Sequence, residues 1–384
     1  MEESTNYLGA TIFWLYNVFA LVFTGKTLQT LYSLYTTTYK TKTSSHTKQL
    51  WLFSILALIS FATLSTTMLN VLIQSFNQRA TLLQKSPLSS SSNNDNNLPL
   101  AIWHWSTTSH LFTDFAEGLV QDSARFFWAQ SALLATLSTV IYMGTEGRQR
   151  QIPNLWTFFA LSQILPISFA QNLFYIALLL TCPEEQEKEE TKDNEPPNSS
   201  SSTATRILHF SKTHSVLSAA AYCLCLALAQ LYASTPALVP IVLLARLCLL
   251  FPLLIPAQFY PSAAQAPAKI PQDRATGAEV QRVVLKTALI MMGMKAYQAV
   301  QEGFGPEAIT VALWQHPAVL ALGGDVFLCA VGFTAWNWAG PRMGAAAGSA
   351  VVEKPAAAAA AASGKEKRKE AKAARKSGAA AGRR

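Results

Sequence analysis

Charge is scarce in this sequence. Asp, Glu, Lys and Arg make up 14% of its 384 residues, whereas 50% are hydrophobic; an ordinary soluble domain carries about a quarter of its residues as charges, so that class is excluded. Cysteine is sparse too. Cys182, Cys223, Cys225, Cys248 and Cys329 lie in or beside apolar runs without metal-ligand spacing, which argues against a disulfide framework and makes Cys223 and Cys225 small apolar packing groups. The chain lacks a Gly-rich phosphate loop with Lys, a dinucleotide fingerprint, a Gly-x-Ser-x-Gly elbow and a His-Glu-x-x-His zinc motif. The soluble chemistries those motifs serve have no foothold. His104 and His110 stand apart from any second histidine cluster, so neither metal nor cofactor is expected.

What the chain has is long apolar runs. They cluster at Leu8 to Thr24, Leu50 to Phe76, Phe126 to Met143, Leu155 to Leu180, Val216 to Ala233, Ala237 to Ala257, Val283 to Val300 and Ala318 to Trp338, most near the roughly 20 residues a spanning helix needs. A ninth candidate, Leu98 to Leu119, carries His104, His110, Asp114 and Glu117 and can instead lie at the interface or re-enter. The expected fold is all-α: a polytopic integral membrane helical bundle of eight or nine spans over residues 1–340. Polar loops are expected at about 77–99 and 183–213, and a disordered Ala/Lys/Arg-rich tail at 341–384. Met1-Glu2-Glu3 is acidic and no small-residue cleavage site follows the first run, which points to a signal anchor rather than a cleaved leader.

Lysine and arginine set the expected orientation, because cytoplasmic flanks hold their excess. Lys188, Lys192, Arg206 and Lys212 in one loop, Lys269, Arg274 and Arg282 in another, and the tail alternate with links that hold almost no basic residue. The C-terminus is therefore expected in the cytoplasm, and the side of the N-terminus depends on whether Leu98 to Leu119 spans. A polytopic chain without a mitochondrial presequence fits the endoplasmic reticulum membrane. The tail supplies much of the net charge of +8; its natural partner is anionic lipid, at about 1 kcal/mol per basic residue near the surface, and not nucleic acid.

Polar groups set inside apolar runs are the candidates for function, since an ionisable side chain in a bilayer costs roughly 2.5–3.5 kcal/mol on insertion scales and is usually paired, lines a cavity or does chemistry. If residues 111–125 form one helix, Asp114, Glu117, Gln121 and Arg125 make a single polar stripe. Phe112, Phe115, Phe126, Phe127 and Trp128 surround it. Two readings stay open: a carboxyl desolvated among rings and raised in pKa as an acid catalyst needs, or an interfacial helix with solvated acids. Glu146 and Arg150, four apart, fit an ordinary surface pair. In the run Leu155 to Leu180, Pro166 is expected to kink the helix, while Gln163 and Gln171 share a face with Phe159 and Phe174. Asn172 adds a further amide, so this face is either glue between helices or a cavity lining. Arg246, Lys295 and Asp325 fall within late spans, and a buried Arg246 to Asp325 ion pair is the simplest account of two of them. Gly323-Gly324, just before Asp325, would let a neighbouring helix or a ligand approach closely.

The segments Leu111-Phe-Thr-Asp-Phe-Ala-Glu117, Arg125-Phe-Phe-Trp-Ala-Gln130, Tyr142-Met-Gly-Thr-Glu-Gly-Arg148 and Ile152 to Phe174 resemble the fungal membrane-bound terpene cyclases of meroterpenoid pathways, of the ascochlorin-biosynthesis type. The resemblance covers roughly residues 100–180. It implies acid-initiated, metal-independent closure of a prenyl chain on a lipophilic substrate, often a terminal epoxide, in a pocket whose aromatic faces stabilise positive charge. On that reading Asp114 or Glu117 is the acid, with Glu146 next and Asp325 an outlier. Trp105, Phe115, Phe127, Trp128, Trp156 and Phe159 stabilise the cation, and Gln163, Gln171 and Asn172 line the substrate site. The rival reading is a transporter or exporter of a metabolite or small solute built on Arg246, Lys295 and Asp325; a third is a non-enzymatic scaffold.

Overall fold

The computed structural model describes residues 6–38, 45–84, 98–108, 111–181, 201–232, 235, 237–250 and 271–339. Among these residues every regular element is an α-helix. The helices are α1 (Tyr7–Thr38), α2 (Ser45–Gln84), α3 (Leu98–Thr108), α4 (Leu111–Val120), α5 (Ser123–Gln149), α6 (Leu155–Ile164), α7 (Ile167–Thr181), α8 (Ser201–Leu231), α9 (Leu238–Cys248), α10 (Pro271–Gln301), α11 (Pro306–Gln315) and α12 (Pro317–Ala339). The all-α expectation holds. Four segments, Gly9–Thr37, Thr47–Asn77, Ser123–Arg148 and Pro317–Trp338, are long and apolar enough to cross a membrane. The Ser/Asn stretch 85–97, the acidic stretch 182–200, the segment 251–270 and the tail 340–384 lie outside the described residues.

The chain divides into a unit Met1–Gly332 and a unit Phe333–Arg384, of which the end of α12 is described. Within the first unit α5 is the hub, packed by α4, α6, α7, α8, α10 and α11. Its span is 67% buried, against 6% for α1; α1 is thus peripheral and presents Leu21, Val18 and Phe19 outward. Large apolar side chains facing outward suit lipid. The hydrophobic effect does not then drive helix against helix, so close packing and hydrogen bonds must hold the unit together. Gly323 shows such packing, since a Cβ there would run into Leu313 Cδ1 and lie 3.3 Å from the Trp128 ring.

Three expectations change. Residues 111–125 are not one helix: Asp122 accepts from Arg125 N at 2.7 Å as the N-cap of α5, and the chain breaks between α4 and α5. Leu98 to Leu119 is two helices of 11 and 10 residues, each too short to cross alone. The run Leu155 to Leu180 is broken outright rather than kinked. Leu165 takes extended backbone angles, α6 stops at Ile164, and α7 begins at Ile167 beyond Pro166. Nearly all of α7 is buried, as expected of a helix apolar on most sides.

Candidate functional site

The break at Pro166 leaves helix ends inside the protein, where orphan backbone groups need partners. At the end of α6, Arg246 Nη1 of α9 donates to the Gln163 carbonyl at 3.3 Å and to Gln163 Oε1 at 3.1 Å, and the Tyr16 hydroxyl of α1 donates to the Ile164 carbonyl. At the start of α7, Asp325 of α12 accepts from Ile167 N at 2.8 Å and Ser168 N at 2.9 Å. A cation therefore meets the negative end of one half-helix and a carboxylate meets the positive end of the other. The expected Arg246 to Asp325 pair is not formed. Each charge has found the helix terminus of complementary sign.

Beyond this break α7 carries a polar face toward α12. Gln171 Nε2 donates to the Tyr175 hydroxyl at 2.8 Å and to the Cys329 carbonyl at 3.3 Å, and Asn172 Nδ2 donates to the Ser168 carbonyl at 2.8 Å. Gln171 Oε1 and Asn172 Oδ1 are buried without a hydrogen-bond partner among the described residues. The expected shared face of Gln163 and Gln171 is gone, because the break puts them on different helices; Gln163 is a cap for Arg246 and Gln171 a tie between α7 and α12.

Next to the break, α1, α2 and α7 enclose a cleft of about 630 Å³. Buried α7 side chains Phe169, Leu173 and Leu180 form part of its lining, with Leu28, Trp51 and Phe61 among the residues from α1 and α2. Phe61 and Phe169 meet at 5.2 Å between ring centroids, and Phe53 and Tyr175 at 5.3 Å. These contacts fix α2 and α7 antiparallel, so the cleft runs lengthwise along all three helices.

The residues singled out from sequence do not gather in one place. Glu117 is exposed on α4. Asp114 has its backbone in α4, and its side chain lies outside the described set. Glu146 pairs with Arg150 Nε at 3.4 Å, the ordinary pair that the spacing allows. Arg125 turns to Gln121 Oε1 at 2.6 Å and Asp122 at 3.1 Å, not to Asp114 or Glu117. Phe115 is half-buried and Phe159 fully buried. Trp105 lines a separate cavity of about 330 Å³ with Phe13, Trp14 and Phe76. Phe127 stands edge-on to Trp128, whose Nε1 donates to the Ile309 carbonyl at 2.8 Å. Trp156 is 44% exposed, with Phe23 at its edge and Lys26 Nζ 5.3 Å from the ring centroid.

Lys295 sits 5.1 Å from the Phe126 ring centroid and donates to Gln298 Oε1 at 2.7 Å, and so has partners different from those of Arg246 and Asp325. The cleft residues and Tyr16 were not anticipated. The signal that leads to them is Pro166 beside Gln163 in an apolar run, together with one cation and one anion isolated in other runs: a broken helix asks for a charge at each of its new ends.

Comparison with known proteins adds no relative: no family model, no curated protein and no solved structure matches the chain. The fold and site define an all-α protein with membrane-length apolar helices and an interior broken helix.

Proposed function

We propose that this protein is an integral membrane terpene cyclase that closes the prenyl chain, with or without a terminal epoxide, of a meroterpenoid intermediate. The observation that carries this reading is the apolar, ring-lined cleft between α1, α2 and α7, which is large enough for a lipophilic chain and borders exposed apolar surface. Closure starts when a carboxylic acid protonates the epoxide oxygen or terminal alkene; the polyene then folds onto the carbocation, and loss of a proton returns the acid, so the product is an isomer. Asp114 and Glu117, on α4 against α5, are the first acids to test, followed by Glu146; none of the three is among the described residues that line the cleft. Asp325 already holds the Ile167 and Ser168 N–H groups as the cap of α7, a structural role that leaves it last among the acids to test. The membrane is assigned as the endoplasmic reticulum, with the C-terminus cytoplasmic and the basic tail against anionic headgroups.

The test is isomerisation by microsomes from yeast expressing the chain, supplied with an epoxidised farnesyl-aromatic substrate. A new product of unchanged mass that disappears in Asp114→Asn or Glu117→Gln supports the reading. No conversion across a panel of prenylated substrates rejects it.

One observation favours a second reading. Discontinuous helices whose half-helix termini meet charges are a recurring feature of transporter substrate sites, and the α6 to α7 break has that form. Uptake or efflux of a labelled metabolite in sealed vesicles, with no change in its structure, distinguishes a transporter from a cyclase.

A further inference from the structure

We infer that the cleft between α1, α2 and α7 holds a single-chain prenyl amphiphile in one orientation, its uncharged hydroxylated head at Tyr32, Tyr35 and Thr47 and its chain end at Phe61 and Phe169. This deepens the cyclase reading by naming the substrate's shape and direction, but its test does not require turnover.

Three features set the direction. The lining is graded: Tyr32, Tyr35 and Thr47 bring hydroxyls to one end, whereas at the other Phe61, Phe169 and Leu173 are apolar and the Thr24 hydroxyl is taken up by the Ala20 carbonyl at 2.7 Å. The hydroxyl end lies toward the end of α1 and the start of α2, where Lys48 is exposed outside the cleft lining. Tyrosine and lysine together mark the membrane–water boundary. The apolar end lies at the start of α7, one residue beyond the Ser168 N–H that Asp325 accepts. An amphiphile in a bilayer already points its head to the boundary and its chain inward, so it enters the cleft sideways without turning over.

Length and charge narrow the occupant. From Thr24 to Tyr35 the α1 wall is 11 residues, about 16 Å at 1.5 Å per residue. That accommodates one extended prenyl chain of farnesyl size below a compact ring. None of the described residues lining the cleft carries a formal charge, so among them there is no ion pair to offer a phosphate or carboxylate head. Trp51, near the hydroxyl end and 65% exposed, is a built-in reporter of which end of a ligand lies beside it.

The experiment uses the full chain in phosphatidylcholine nanodiscs and two forms of farnesyl hydroquinone, brominated on the ring or at the chain end. Bromine quenches tryptophan at contact. The ring-brominated probe is expected to quench saturably and to lose at least half of that quenching in Trp51→Phe, while the chain-brominated probe is unaffected by that substitution. Ala57→Trp, placed in the cleft wall, should weaken both probes at least tenfold. Equal losses for the two probes in Trp51→Phe overturn the orientation. Non-saturable quenching, or displacement of the probes by phosphatidylcholine brominated in its acyl chain, makes the cleft an ordinary lipid groove and overturns the inference. Saturable, oriented binding without any isomer formed retains the inference while rejecting cyclisation.

Discussion

Asp325 shows how far one side chain can be reassigned by its surroundings. It is 5% exposed, and its two oxygens hold Ile167 N and Ser168 N. Asp325→Ala strands both donors in an apolar interior, at a cost of about 1–3 kcal/mol, whereas Asp325→Asn keeps an acceptor oxygen and should lose about half as much. Unfolding in mixed micelles measures both; equal stability of the Ala variant and the parent would remove the capping role. His316, in the link between α11 and α12, carries a different residue-scale prediction. Burial, and then the nearby Arg125 guanidinium, hold its pKa below the ordinary 6.5. The folded state thus binds its proton less readily than the unfolded chain. The stabilisation is fully present above about pH 6.5 and is lost as pH falls from there through the folded value. Melting temperature should decline over that range, and His316→Gln should flatten the decline.

At the scale of elements, the break between α6 and α7 is specified from both sides. Pro166 removes a donor and disfavours helical angles before it, but Arg246 and Asp325 belong to other helices and hold the separated ends. Arg246→Leu should destabilise by about 1–3 kcal/mol by leaving the Gln163 carbonyl without its cation. Pro166→Ala touches neither cap and should cost less than about 1 kcal/mol, because it strands no buried polar group and empties little volume. If Pro166→Ala proves the more damaging in unfolding measurements, the proline rather than the charged caps maintains the break. Part of this was readable from sequence: a proline in an apolar run and a lone Arg and Asp elsewhere announce trouble with backbone hydrogen bonds. The pairing was not, because Arg246 lies 83 residues from Gln163, and Asp325 lies 157 residues from Ser168.

For the whole molecule, the orientation proposed rests on the distribution of Lys and Arg. Asn198-Ser-Ser is the sequon to watch. With a cytoplasmic loop it stays unmodified, so digestion with an endoglycosidase should leave electrophoretic mobility unchanged; a shift abolished by Asn198→Gln would reverse the orientation proposed above.

Composition and run length by themselves determined that this chain is helical and rich in membrane-length apolar segments, because a bilayer demands internal backbone hydrogen bonding and about 20 apolar residues per crossing. They also located Glu146 beside Arg150 and the close approach at Gly323, which are local or depend only on residue size. Tertiary structure decided the rest. Asp122 interrupted the stripe expected over residues 111–125 by capping α5, Arg246 and Asp325 chose helix ends over each other, and an unanticipated set of rings on α1, α2 and α7 formed the cleft. The physical reason is common to all three. A polar or aromatic group takes the partner that best satisfies its field or shape once the chain has folded, and that partner is set by which helices adjoin, a property no local spacing contains.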